Sequence, residues 1–220
     1  MVPLSFAGET FVPSAAGTLF WQARQALLVA DLHLEKASWF ARLGQLLPPY
    51  DSHATLTALS AEVERTGATR LYCLGDSFHD RFGCDRLPAQ SRELLLDLTS
   101  RLDWTWIVGN HDPSFADHCG GTVVEEVEIG AILLRHEARP DEVRAEISGH
   151  FHPKLRLSMN GRRISRRCFV ASDRKLILPA FGSLTGGLDV RHPEIVRAIS
   201  GEAVALVPIA DRLLRFPIAA

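Results

Sequence analysis

Three short apolar runs, each breaking off into a polar cluster, constrain this chain more than any other feature. Ala26-Leu27-Leu28-Val29-Ala30 ends in Asp31-Leu32-His33. Arg70-Leu71-Tyr72-Cys73-Leu74 ends in Gly75-Asp76-Ser77-Phe78-His79-Asp80. Trp104-Thr105-Trp106-Ile107-Val108 ends in Gly109-Asn110-His111-Asp112-Pro113. Five apolar residues are too few for a helix and suit a buried strand. Between the runs the pattern turns helical. Glu35 to Leu47 reads as a helix stopped by Pro48-Pro49. A second helix starts near Asp51 or Ser52, either of which suits an N-cap, and runs to about Arg65, where Gly67 ends it. A third spans about Pro88 to Leu102. Strand, polar cluster, helix, strand is the pattern of βαβ units and parallel pairing. In such sheets the ligand site lies at the carboxyl ends of the strands.

After residue 120 the chain becomes strand-rich. Val123-Val124, Val127-Glu128-Ile129 and Ala131-Ile132-Leu133-Leu134 are short strands, the last running into Arg135-His136-Glu137. Asn160-Gly161 is a two-residue hairpin signal joining Leu155–Met159 to Arg163–Val170. The expected fold is therefore α/β: two mixed β-sheets, the second packed on the first, in a single domain over residues 1–220. The net charge of −2 gives no global basic field, so nucleic-acid binding would need a local patch. Four cysteines without CxxC spacing predict no disulfide framework and a reducing cytoplasm. No signal peptide and no membrane span are expected.

The stretch Ser148-Gly149-His150-Phe151-His152-Pro153 adds two imidazoles two positions apart. In an extended segment, residues i and i+2 project to one side. Gly149 allows a close approach or sharp turn, and Pro153 excludes a helix through the pair. The polar residues at the ends of the runs are then Asp31, His33, Asp76, Asn110, His136, His150 and His152. Two carboxylates, an amide and four imidazoles suit manganese, iron, cobalt or zinc better than calcium. Seven ligands exceed one tetrahedral ion and fit two divalent ions sharing a bridging carboxylate, which can clamp a phosphoryl group and activate a hydroxide for attack. His111 reads as an acid or charge stabiliser over the phosphate, with Asp112 orienting its imidazole.

Asp31-x-His33, Gly75-Asp76, Gly109-Asn110-His111-Asp112, His136 and Gly149-His150-x-His152 resemble, in order, the signature of calcineurin-like metallophosphoesterases. The resemblance implies a four-layer sandwich of two sheets flanked by helices. Asp31, His33 and His152 would bind one metal, Asn110, His136 and His150 the other, and Asp76 would bridge them. A narrower resemblance lies in Leu28–Lys36, Leu47-Pro48-Pro49-Tyr50-Asp51 and Leu178–Gly187, which are similar to the ligase-associated DNA damage response endonuclease PdeM family. It implies a manganese-dependent bacterial phosphodiesterase acting on cyclic phosphodiesters and single-stranded nucleic acid. Its implied partners are an ATP-dependent DNA ligase, a helicase and an exonuclease-like protein. His79 resembles a histidine that places nucleic acid in the nuclease subunit of double-strand-break repair complexes, and is otherwise a partly exposed loop histidine.

Other readings stand beside these. A phosphomonoesterase or nucleotide pyrophosphatase would use the same centre, and a non-catalytic scaffold would not need seven metal donors. Lys154 to Arg167 holds six basic residues and no acid. It is read as a solvated hairpin face, because strand alternation would divide its arginines between two sides. Trp39 and Phe40, just inside a helix, are read as core packing rather than a surface for stacked bases.

Overall fold

A computed structural model of the chain describes residues 2–112, 119–159 and 161–218. Sheet one contains, in spatial order, β1 (Leu4–Phe6), β2 (Glu9–Pro13), β3 (Leu19–Trp21), β4 (Ala26–Val29), β5 (Arg70–Leu74), β6 (Asp103–Ile107) and β7 (Thr122–Val124). Its first half is an antiparallel meander, and β4 to β7 are parallel. The chain continues through β8 (Val127–Ile129), β9 (Ile132–Leu134) and β10 (Ala145–Ser148). The hairpin β11 (Lys154–Met159) and β12 (Arg162–Arg167) follows, then β13 (Phe169–Ala171), β14 (Lys175–Ile177), β15 (Ala203–Ile209) and β16 (Arg212–Ile218). Sheet two has the order β16-β15-β13-β14-β10-β9-β8, with β9, β10 and β14 parallel and the other pairs antiparallel. The helices are α1 (Lys36–Arg42), α2 (Asp51–Thr66), α3 (Gly83–Arg86), α4 (Ala89–Arg101) and α5 (Pro193–Ile199).

Strand β4 explains the layering. All four of its residues are buried, because helices cover one face of its sheet and sheet two covers the other. Successive side chains alternate between the faces. Leu27 and Val29 join Leu56 and Leu59 of α2 and Leu95 and Leu98 of α4. Ala26 and Leu28 join Ile132, Ile147, Phe169 and Leu176 of sheet two. A third cluster packs Val170, Ile177 and Ala205 of sheet two against Ile195 and Ala198 of α5 and Leu155 of the hairpin. The result is the expected four-layer sandwich of two mixed sheets.

Local departures have physical causes. Helix α1 ends at Arg42 rather than Leu47. Gly44 follows at φ 78°, where only glycine is unstrained. Asp51 and Ser52 do cap a helix, but it is α1. Asp51 Oδ2 accepts from the Ala37 N–H at 3.0 Å, and Ser52 Oγ accepts from the Glu35 N–H at 2.7 Å. Strand β12 stops at Arg167 and β13 belongs to sheet two, so the expected second hairpin strand is two strands. Asn160 lies outside the described residues, as does Pro113. Cys84 and Cys119 are bonded to each other, against the expectation of unpaired cysteines, and Cys73 and Cys168 are free and buried.

The hairpin register divides the arginines between two faces, as alternation predicts, with Arg156, Arg163 and Arg167 on one and Arg162 and Arg166 on the other. Lys154 pairs with Arg167, Arg156 with Ser165 and Ser158 with Arg163. Opposed residues share a face, so four of the six basic side chains, Lys154 included, lie on one side. Arg167 is not free for a ligand, since its guanidinium donates to the carbonyls of Phe181 and Gly182 at 3.1 and 2.8 Å.

Sheet two also buries a charge network at β10. Glu146 is fully buried. It accepts from Lys175 Nζ at 2.6 Å and from Arg135 at 3.2 Å. Arg135 also pairs with Glu126, and Lys175 donates to the Arg139 carbonyl. Removing one member of a buried pair leaves an uncompensated charge, at a cost of about 3–5 kcal/mol. Glu146→Ala is expected to lose stability on that scale in urea unfolding; a loss below about 1 kcal/mol would show that these charges are effectively solvated.

Candidate metal centre

Five parallel strands deliver the site. Asp31 follows β4, Asp76 follows β5 and Asn110 follows β6 in sheet one; His136 follows β9 and His150 follows β10 in sheet two. Their carboxyl ends meet at one rim of the sandwich. The ladder between β4 and β5 continues into the loops, with the His33 N–H donating to the Asp76 carbonyl at 2.9 Å. Asp31 then crosses between the sheets, its carboxylate accepting from the His150 N–H at 3.0 Å. Gly149 makes this possible: a Cβ there would stand 2.6 Å from Ala30 Cβ and 2.7 Å from Asp31 Oδ2. Gly109 is equally constrained, since a Cβ would fall 2.2 Å from both the backbone nitrogen and Oδ1 of Asp76.

Asp31, His33, Asp76, His150 and His152 all have left-handed backbone, with φ between 44° and 71°. Only ten non-glycine residues among those described do so. Such conformations cost on the order of 1–3 kcal/mol each and concentrate at functional sites. They also correct the extended reading of His150-Phe151-His152. The two imidazoles diverge into two groups: Asp31, His33 and His152 converge as one, and Asp76, His136 and His150 as the other.

The donor geometry fits metal ions. Two nitrogens bound at about 2.0–2.1 Å to a tetrahedral ion stand about 3.3 Å apart. His33 Nε2 lies 3.3 Å from His152 Nε2, which lies 3.3 Å from Asp31 Oδ1. In the second group His136 Nε2 lies 3.1 Å from His150 Nδ1 and 3.6 Å from Asp76 Oδ2. The same Asp76 oxygen lies 3.8 Å from His33 Nε2, between the groups. His136 Nδ1 faces the Leu74 carbonyl at 3.0 Å, so its proton sits there and Nε2 is left with a lone pair. Burial pulls His33 down to about 2, and burial with the nearby His136 lowers His150, so both imidazoles stay neutral, the form that binds metal. Burial opposes ionisation of Asp31, but the hydrogen bond with His152 together with the surrounding His152, His136 and His33 outweighs it and holds the carboxyl below its usual range.

The remaining expected residues surround these groups. Asn110 is exposed and shares a cleft wall with His136. The His111 side chain is 46% exposed, with Nε2 4.0 Å from Asp76 Oδ2. Asp112 does not orient that ring. The ring is held through Nδ1 by the His79 carbonyl at 3.1 Å. The Asp112 carboxylate accepts instead from the N–H groups of Phe78 and Gly109 at 2.9 and 3.1 Å, tying together the loops after β5 and β6. Burial, with the nearby Asp76, pushes its carboxyl up to about 7. His79 is buried rather than partly exposed, and burial pulls it down to about 4. It forms a third convergent trio with His33 and His111, but the bond from His111 Nδ1 to the His79 carbonyl makes this trio a support for the first two.

The aromatic pair was misplaced by the core reading. Trp39 and Phe40 are half-buried and both contact His79, with centroids 4.8 and 5.8 Å away. Glu137, 3.9 Å from His150 Nε2, and Arg167, which braces the backbone beside Asp31, carried no signal in the sequence.

The sequence matches no family model and no curated protein. The structure is similar to the crystal structure of Pseudomonas putida nuclease MPE, with a TM-score of 0.77 and 26% identity over 98% of this chain and 99% of that one. Yfce, a phosphoesterase from E. coli, aligns over 88% of this chain and 99% of its own, at a TM-score of 0.43 and 14% identity, too distant to carry weight. Over nearly its whole length, then, this chain has the fold of a metallophosphoesterase-type nuclease.

Proposed function

We infer that this protein is a dimetal phosphodiesterase that cleaves nucleic acid. The observation that carries the reading is the pair of donor groups meeting at Asp76, at separations suited to ligands on common ions. Asp31, His33 and His152 would hold one ion; His136, His150 and Asn110 would hold the other, with Asp76 shared. When bound, such ions lower the pKa of water toward 7 and neutralise charge on the phosphoryl oxygens. With Nδ1–H donating to the His79 carbonyl, Nε2 is the nitrogen left to face the leaving oxygen, and His111 would act as the acid there only as an imidazolium carrying a second proton on Nε2. Similarity to a nuclease over the full chain favours a phosphodiester over a monoester.

Finer points belong to the same proposal. The mixed nitrogen and oxygen donors fit manganese, which the family resemblance favours. A role in bacterial DNA repair, with the ligase, helicase and exonuclease-like partners, rests on that resemblance; a cytoplasmic location rests on the few, irregularly spaced cysteines, and the Cys84–Cys119 bond weighs against it. No helix among the described residues is long and apolar enough to cross a membrane.

The direct test is a manganese-dependent assay on labelled single-stranded and duplex DNA and RNA, with bis-p-nitrophenyl phosphate and p-nitrophenyl phosphate alongside. Cleavage of strands and of the diester, abolished by chelation and by Asp76→Ala, is expected; turnover of the monoester alone would replace this reading with a phosphomonoesterase. His111→Asn separates acid catalysis from metal binding. It is expected to lower kcat by about 10²–10⁴-fold with metal content unchanged. Full activity in this variant would remove His111 from the chemistry, and loss of metal would reassign it as a ligand.

A further inference from the structure

Beside the two donor groups a set of rings leads from α1 to His111, and Trp39, Phe40 and His79 among them have no part in the hydrolytic chemistry. Phe40 is nearly parallel to His79, with an interplanar angle of 22°, and His79 is nearly parallel to His111, at 21° and 4.9 Å. The three rings form a column from α1 to the candidate acid. Trp39 stands edge-on to Phe40 at 4.9 Å and to His79 at 4.8 Å. His79 also lies 5.5 Å from His33, so the column abuts the first donor group. Only Ala37 of α1 is buried, and residues 41–50 beyond it are all exposed. Trp39 and Phe40 are half-buried, so part of each ring stays open to solvent beside this exposed stretch. Lys36 and Arg42 flank the two rings in sequence and supply positive charge for a phosphate backbone.

We propose that Phe40 forms a stacking shelf for an unpaired nucleobase next to the scissile phosphate, with Trp39, perpendicular to it, as the side wall. The proposal rests on the nuclease reading and goes past it by naming what the site grips. A base in a duplex is already stacked and paired, so a shelf of this kind selects single strands. Aromatic faces stack any base, so the selection is indifferent to sequence.

Intrinsic fluorescence tests the shelf without metal or turnover. Trp21, Trp104 and Trp106 are at most 2% exposed, so quenching by a bound strand reports Trp39. EDTA-treated protein is titrated with oligothymidylate, with an abasic strand of equal length and with a duplex. Quenching is expected from the base-bearing single strand alone, and Trp39→Leu abolishes it. Phe40→Leu is expected to weaken binding of the base-bearing strand about tenfold, the effect of losing one stacked base, while Phe40→Tyr keeps the affinity. Thermal melts of each variant show whether it has folded. In the manganese assay, Phe40→Leu is expected to raise KM for the base-bearing strand and no longer distinguish it from the abasic one. Equal quenching by the abasic strand, or a Phe40→Leu variant that still prefers bases, overturns the shelf and leaves the nuclease reading intact. Absence of strand cleavage with base-dependent quenching retained removes the nuclease reading instead.

Discussion

The structure depends on one junction: the Asp31 carboxylate, at the end of a strand in the first sheet, accepts the backbone N–H of His150, at the end of a strand in the second. This contact makes the two halves of the sandwich share a rim. It requires Gly149, whose missing side chain lets the turn approach Ala30 and Asp31. It is reinforced from behind, where Phe181 and Gly182 donate to the Ala30 and Asp31 carbonyls and Arg167 holds their own. Without the junction, Asp31 and His33 would belong to one sheet and His150 and His152 to another, with no common centre.

Such a junction keeps the donors in conformations that an isolated loop would abandon. Left-handed backbone at Asp31, His33, Asp76, His150 and His152 has a cumulative cost of several kcal/mol. Interlocking apolar clusters on both faces of the first sheet supply the rigidity that offsets it. In return the imidazoles are held at about ligand spacing, and fixed placement of this kind is a condition for an electrostatic site that stabilises charge at phosphorus.

Much of this was legible in the sequence, because the parallel strands obey a local rule. Buried runs such as Ala26–Val29 and Arg70–Leu74 announce themselves by composition, and the residues just past them face the rim. What was not legible depended on register or on distant partners. Lys154, Arg156, Arg163 and Arg167 share one face because Lys154 opposes Arg167, a pairing no single strand encodes. Asp112 looked like a partner for its neighbour His111 but bonds to Phe78, across two loops. Asp51 and Ser52 stand where a helix cap belongs and close a different helix. The His150–His152 spacing suggested one ligand pocket in an extended strand; the turn they occupy sends each to its own.

Anomalous scattering from crystals grown with manganese tests directly whether two ions share one carboxylate. The expected result is two manganese peaks per chain, one among Asp31, His33 and His152, the other among His136 and His150, with Asp76 in contact with both. A single peak, or two that do not share Asp76, would contradict it.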